Sequence, residues 1–559
     1  MTAPLECFVT TASGQQVRVR LLGAGPAVVL CHESPRSGAA LLPLAKHLAN
    51  TFTCVILDTP GFGLSEPLKL TRPEIPDYAA IVLDVTAQFG LDKASYYGTH
   101  TGAAIAIEAA VQAPDRVAGV VLDGYALFSP TERDELLAAY LTPIHPGLDG
   151  THVAWLWSRV RDQFTAFPWH RVGDAGRLPF GPPPIETLQA VVDDFLLAGD
   201  HYRAAYAAAF RYDHLKPVQL CEVPVQLAAR TDDLLFPHLQ NAVGVPNNVI
   251  VGSLPADRVE WAKQIGRWLQ SYALEQDAVD AATLLSRIDH KGSQYHIVNT
   301  SVSPVLLRFD GPSTGEPLLL LHDVPGDLTT LDSLAEHLAR THRVVRLDLP
   351  GLGASRLGEG MEPTVESLAT GVREALADIA VGQFSIVAVG ASAAVALELL
   401  DAEVQSTIIV DPWTQQCDAG AELPDLVPRW DGGHLMSSFY WAREYELYKP
   451  WYNRTNADSR SLGGERDVQM LHQRYRASVI AGNTGVQAAA ALYRYDCKSL
   501  LTKAAIHASV LLYEDDPDVK QLQRWANECL SGDAIYRVSK DPRSLAAAIA
   551  ELLPATVIP

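Results

Sequence analysis

No stretch of this 559-residue sequence runs 18 apolar residues without a charge, so it offers nothing long enough to cross a hydrocarbon core. The opening MTAPLECFVTTASGQQ has neither the basic segment nor the apolar core of a secretory signal, and a cytoplasmic location with no membrane partner is the expectation. Cysteine is scarce and unpatterned. Cys7, Cys31, Cys54, Cys221, Cys417, Cys497 and Cys529 never fall at C-x-x-C spacing, which excludes a disulfide framework and a zinc ribbon and fits buried thiols in a reducing compartment. The histidines and acids show no H-E-x-x-H spacing, and no glycine-rich phosphate loop or dinucleotide fingerprint follows a strand. No metal and no cofactor are therefore expected. Basic residues are outnumbered 65 to 44, for a formal charge of −21. A surface of that sign repels phosphate backbones and anionic lipid, so nucleic acid is not an expected partner.

What is present is core-forming material, 48% apolar against 19% charged, in a chain too long for one hydrophobic core. It is also written twice, at a spacing of roughly 280 to 290 residues. PAVVLCHESP (26 to 35) returns as PLLLLHDVP (317 to 325), and CVILDTPGFGLS (54 to 65) as VVRLDLPGLGAS (344 to 355). YYGTHTGAAIAIEAA (96 to 110) matches IVAVGASAAVALELL (386 to 400), and VVLDGY (120 to 125) matches IIVDPW (408 to 413). DGTH…RD…PW (149 to 169) returns as DGGH…RE…PW (431 to 451), and the order is kept throughout. Each copy alternates short Val/Ile/Leu runs with amphipathic stretches, which implies a parallel sheet covered by crossover helices on both faces. Long helical patterns rich in Trp, Phe, Tyr and Pro interrupt that rhythm at about 126–216 and 414–500 and read as inserted caps. The expected organisation is a first domain over 1–273, a connector over 274–290 and a second domain over 291–559. Such a chain can act as an internal pseudo-dimer, and a homodimer stays open.

These residues resemble the α/β-hydrolase superfamily, twice over. His32-Glu33-Ser34-Pro35 and His322-Asp323-Val324-Pro325 are similar to the family's oxyanion-hole loop, with an acid where glycine is usual. Asp58-x-Pro60-Gly61-x-Gly63-x-Ser65 looks like its D-x-P-G-x-G-x-S segment and is reproduced at Asp348 to Ser355. Gly98-Thr99-His100-Thr101-Gly102 is similar to the nucleophile elbow, as is Gly390-Ala391-Ser392-Ala393-Ala394. The GTHTGA form resembles a bacterial subgroup with histidine in the elbow. The resemblance implies two tandem α/β domains, each a mostly parallel sheet flanked by helices with a helical cap, and a hydrolytic pocket for a small molecule.

That family orders nucleophile, acid and histidine along the chain. An acid is available in both copies. After a late strand, PVQLAARTDDLLFP offers Asp233, with Asp232 as the alternative, and ASVLLYEDDPDV offers Asp515 and Asp516; Asp123, ending the strand after the elbow helix, is a second acid site. The histidine is missing. Neither 247–269 nor 534–553, where it should stand, contains one, and Ser253 and Ser539 lie near its place. Ser392 is then a nucleophile without a base, and the second copy reads as structural. In the first copy the imidazole of His100, longer than serine, is positioned to reach Asp233 or Asp123 and to serve as general base, or as nucleophile, near neutral pH.

Other groups are candidates to converge on that ring. The backbone N–H of Thr101 opens the elbow helix and, with the Glu33–Ser34 loop, stabilises an oxyanion. His32 and His152 are candidate polar groups, Arg161 a clamp for a substrate carboxylate, and Trp155, Trp157 and Trp169 walls for an apolar or aromatic ligand. His434 and Arg443 repeat His152 and Arg161 in the second copy. The reading that results is a hydrolase of a small, apolar or aromatic ester or related carbonyl compound. Two rivals stand beside it: a lyase, isomerase or cyclase using the same base, and a binding or scaffold protein with no activity.

Overall fold

The computed structural model describes residues 3–171, 173–273, 278–288, 293–358, 360–401, 403–414, 422–460, 466–504, 508–530 and 532–554. Cys417, parts of the 274–290 connector and parts of the second cap lie outside them.

The expected repeat appears as two mostly parallel sheets. In the first, β1 (Leu5–Thr10), β2 (Gln16–Gly25), β3 (Ala27–Cys31), β4 (Thr53–Leu57), β5 (Ala94–Thr99), β6 (Val117–Asp123), β7 (Val225–Arg230) and β8 (Val249–Leu254) lie in the order β1-β2-β4-β3-β5-β6-β7-β8. Only the pairings of β2 with β1, with β4 and with β9 (Val279–Asp280) are antiparallel. The second sheet repeats the order with β10 (Tyr295–Asn299), β11 (Pro304–Asp310), β12 (Pro317–Leu321), β13 (Arg343–Leu347), β14 (Phe384–Val389), β15 (Val404–Val410), β16 (Ala508–Tyr513) and β17 (Ile535–Val538), as β10-β11-β13-β12-β14-β15-β16-β17. The central strands are unbroken apolar runs because both faces are covered: AVVLC of β3 and PLLLL of β12 are buried at every residue. With side chains alternating across the pleat, Leu318 and Leu320 pack toward Leu334, Leu338 and Ile549, while Leu319 and Leu321 join the other core. Burial contributes about 2 kcal/mol for each such side chain.

By backbone packing the chain divides into two compact units, Met1–Ile144 with Leu156–Ser293, and His145–Trp155 with Gln294–Pro559. In the first unit the described part of the 274–290 segment is not a bare connector. Val279 and Asp280 pair with Gly25 and Ala24 of β2, and Asp280 Oδ1 caps the short helix Ala281–Ser286 by accepting from Thr283 N at 2.8 Å. A two-residue strand is too short to leave a periodicity in sequence. Between β6 and β7 stand the cap helices Pro130–Ala139, Thr151–Asp162, Ile185–Ala198, Tyr202–Arg211 and Leu215–Leu220; between β15 and β16 stand Gly433–Leu447, Val468–Arg494 and Cys497–Ala504.

The D-x-P-G-x-G-x-S segments are structural. Asp58 is wholly buried, and its Oδ1 accepts from Arg20 Nη1 at 2.6 Å and Gly38 N at 2.8 Å. Burial by itself would raise the Asp58 carboxyl; the charges of Arg20 and Arg18 override it and hold the group ionised. The segment thus fixes the loop that follows β4, a strand that β3 separates from β5.

Candidate active site

The elbow is a sharp turn from β5 into the helix Thr101–Gln112. His100 stands at its apex with φ 48° and ψ −112°, a conformation that side-chain-bearing residues adopt only where the surroundings enforce it. Two glycines enforce it. A Cβ on Gly98 would lie 2.2 Å from Gly102 O, and one on Gly102 would lie 2.1 Å from Cys31 O, so β5, the helix and β3 close up only without those side chains. The His100 N–H is satisfied by Asp123 O at 3.0 Å.

The ring reaches an acid. His100 Nε2 lies 3.0 Å from Asp233 Oδ2 in the turn after β7, while Asp233 Oδ1 accepts from Leu235 N at 2.8 Å and Arg230 Nη2 stands 3.5 Å from Oδ2. Burial would raise the Asp233 carboxyl, but the charge and hydrogen bond of His100 overcome it and push the group well below the usual carboxylate range. Burial would likewise lower His100, and Asp233 overrides it, so the imidazole is raised above its ordinary value. An ionised carboxylate only accepts, so in the neutral ring Nε2 carries the proton and Nδ1 keeps its lone pair. This reverses the usual histidine of such enzymes, whose Nδ1 faces the acid.

His100 lines a cavity of about 520 Å³, and 30% of its side-chain surface is exposed. Glu33, Ser34 and Thr101 line it beside the elbow, as the sequence suggests. The Thr101 N–H is the first of its helix, with no acceptor available within that helix. The aromatic walls come from other residues than those expected: Phe128, Phe164, Phe167, Phe180 and Phe210 face the cavity. Trp157 is buried off it, and Trp169 donates Nε1 to Tyr140 O at 3.0 Å and covers Arg159.

Several other candidates are not brought to the ring. Asp123 is buried with its Oδ2 accepting from Tyr97 Oη at 2.9 Å and Trp261 Nε1 at 2.8 Å, and its hydrogen bond to His100 is made by the backbone O. His32 ties its loop, accepting from Thr59 N at 2.9 Å and reaching Glu33 O at 2.9 Å. His152 belongs to the second unit, where its Nδ1 accepts from Gly147 N at 3.2 Å and its ring abuts Phe439 and His472. His434 repeats that turn, accepting from Arg429 N. Arg161 is exposed and does not line the cavity. The guanidinium groups that do are Arg36, Arg230 and Arg258; of these, Arg36 follows the loop after β3 and Arg230 closes β7, and adjacency is the signal that sequence offers for them.

The second unit corrects the placement of Ser392. Its elbow apex, with positive φ, is Gly390 at φ 62°, which corresponds to His100 and carries no side chain. Ser392 stands two residues on, where the first copy has Gly102, with φ −66° and its hydroxyl donating to Leu321 O at 3.1 Å and Val389 O at 2.8 Å. Both the G-x-S-x-A register of residues 390–394 and the A-x-G-x-S register of residues 388–392 fit the sequence, and the backbone decides for the second. Asp323 Oδ1 accepts from Val324 N at 2.8 Å and Ala391 N at 3.0 Å, with Tyr445 Oη bonded to its other oxygen. Two backbone N–H groups thus converge on one oxygen anion supplied by the chain itself. Their counterparts in the first copy are Ser34 and Thr101. Ser392→Ala is expected to cost about 1 kcal/mol of stability and no turnover, measured by denaturant melts and ester assays.

Residues 26–143 match the family model described as alpha/beta hydrolase fold, and residues 318–539 that described as Alpha/beta hydrolase family. Haloalkane dehalogenase 2 of Mycobacterium bovis is 34% identical over 110 residues, 20% of this chain and 38% of that protein. A 2-(acetamidomethylene)succinate hydrolase of Mesorhizobium japonicum is 30% identical over 123 residues, 22% of this chain and 44% of that protein. The crystal structure of Epoxide Hydrolase A from Mycobacterium thermoresistibile aligns with 50% of this chain and 100% of its own, at 21% identity and a TM-score of 0.37. The chain spans less than half the length of the curated relatives it matches.

Proposed function

The chain belongs to the α/β-hydrolase superfamily in both of its halves, and from that membership we propose that the first unit hydrolyses a small ester or related carbonyl compound with an apolar or aromatic body. The observation that carries the reading is the 3.0 Å contact of His100 with Asp233 beside an open, phenylalanine-walled cavity. An inactive scaffold has no reason to keep an elbow residue at positive φ with its ring turned onto a buried acid.

In this reading His100 Nδ1 takes a proton from a water molecule, whose oxygen adds to the substrate carbonyl carbon. The C=O electron pair moves onto oxygen, and the resulting anion accepts hydrogen bonds from the Ser34 and Thr101 N–H groups. Asp233 holds the ring and stabilises the imidazolium. Collapse expels the alkoxide, which recovers the proton from Nδ1, leaving an acid and an alcohol. Direct attack by Nδ1, with an acyl-imidazole formed and then hydrolysed, uses the same atoms.

The experiment is turnover of aryl esters of apolar acids in isotopically labelled water. Heavy oxygen in the acid product marks hydrolysis, and its absence marks the proton-abstraction rival. The pH profile supplies a sharper check. Activity needs the neutral ring, and Asp233 raises His100, so kcat/KM climbs with pH through a midpoint above the ordinary 6.5. Asp233→Asn removes the raising charge, leaves burial to lower the ring, and moves that midpoint down while reducing kcat by about 100-fold or more. A wild-type midpoint at or below the ordinary value contradicts the dyad.

A further inference from the structure

The cavity of the first unit carries three guanidinium groups, and they are not equally satisfied. Arg36 donates Nε to Asp194 Oδ2 at 2.7 Å, and Arg230 stands 3.1 Å from Asp232 and 3.5 Å from Asp233. Arg258, at the start of the helix Arg258–Tyr272, has no carboxylate within ion-pair distance among the described residues, although its side chain borders the same cavity. Its neighbour is another cation: the Arg258 and Arg230 guanidinium carbons lie 5.8 and 6.0 Å from the centre of the Trp261 ring. Partial burial, and then the like charge of Arg230, push the Arg258 pKa down against the more distant pull of Asp232 and Asp123. Arg230 is already engaged by its two aspartates, so the planar, two-pronged donor at this wall that lacks a direct carboxylate partner is Arg258.

We infer that the substrate bears a carboxylate besides its scissile carbonyl, and that Arg258 receives it. The inference rests on the first-unit cavity being the substrate site. A guanidinium with no carboxylate in direct contact can receive one, and its paired N–H groups match the two oxygens of a carboxylate. A dianionic phosphate fits less well, because Glu33, Asp232 and Asp233 border the same space and repel a second charge. The phenylalanine walls take the apolar body between the two polar ends. The substrate class is thus a monoanionic acid carrying an ester or comparable carbonyl group, such as a hemiester of an aryl or alkyl alcohol.

Titration calorimetry at low salt with 3-phenylpropanoate and its neutral amide, 3-phenylpropanamide, tests this without requiring turnover. The wild type is expected to bind the acid about tenfold or more tightly than the amide, as a charge-assisted bidentate contact provides, and raised salt should erode that preference. Arg258→Ala abolishes the preference, and Arg258→Lys keeps part of it, because the charge remains while the fork is lost. Equal binding of the two probes by the wild type, no measurable binding of the acid, or a preference that survives in Arg258→Ala overturns the inference. His100→Gln separates this from the catalytic reading: loss of turnover with the acid preference intact supports both. An acid preference in a protein whose turnover ignores His100 removes the mechanism and leaves the anion site standing.

Discussion

On the proposed mechanism, replacing His100 by glutamine is expected to lower kcat for ester hydrolysis by about 10³-fold, the middle of the range that a positioned general base supplies, with KM nearly unchanged. Glutamine occupies similar volume and its amide can still reach Asp233 Oδ2, so the turn keeps its packing while the titrating nitrogen is lost. The change adds no backbone strain, because His100 already sits at φ 48°. The oxyanion donors are backbone groups and survive, so some rate above the uncatalysed reaction remains. The acid limb disappears from the pH profile together with the group that makes it. Steady-state kinetics on a single aryl ester across pH give both readouts. A variant that keeps a tenth or more of wild-type kcat places the base elsewhere, and His214, which lines the cavity, becomes the next ring to replace.

The dyad was legible because its two halves follow from chain order. The acid stands after the late strand in both copies, and the ordinary histidine is absent from the loop after it, so the elbow imidazole is the ring left to meet Asp233. The choice between Asp233 and Asp123 was not legible. Asp123 ends one parallel strand and Asp233 stands in the turn after the next, and what separates them is that Tyr97 and Trp261 both bond Asp123 Oδ2. The register of the second elbow was hidden for a similar reason. Gly390 and Ser392 are two residues apart in a run of small side chains, and the apex is fixed by φ, which sequence does not carry. Cap walls were the least legible part. A helix pattern says that Trp157 is buried but not against which layer, and phenylalanines scattered over loops and helices share no period. The placement of His152 with the second unit depends on a packing division that cuts through one helix, and no local pattern records it.

Replacing Lys449 by methionine destabilises the second unit by about 3–5 kcal/mol, the range for removing one partner of a buried ion pair. Lys449 stands where the first copy has the cavity-lining Phe167, and it fills the corresponding place with charge. Its Nζ bonds Asp411 and lies 3.4 Å from Asp518, while Arg460 Nη1 lies 3.3 Å from Asp411 and 3.4 Å from Asp516. One oxygen from each of the three acids lies within 4.8 Å of the others, and Lys449 and Arg460 bond among them, so the chain itself sets two cations against three carboxylates. Asp516 is the counterpart of Asp233, and here it holds an arginine instead of an imidazole. Burial pushes Asp411 up, and Lys449 and Arg460 outweigh it and bring the group below its ordinary value. A depressed carboxylate contributes stability above its unfolded pKa, near 3.8, and loses it as pH falls through the folded value. Without Lys449 that depression shrinks, so the deficit of the variant is largest near neutral pH and narrows as pH falls below the ordinary 3.8 and wild-type Asp411 too takes up its proton. Adding Asp411→Asn to Lys449→Met recovers part of the loss, since the orphaned charge goes with its partner. Chemical denaturation at neutral and acid pH checks both signs. A variant as stable as the wild type at neutral pH would mean that solvent reaches the cluster and that the second copy is not closed by its own side chains.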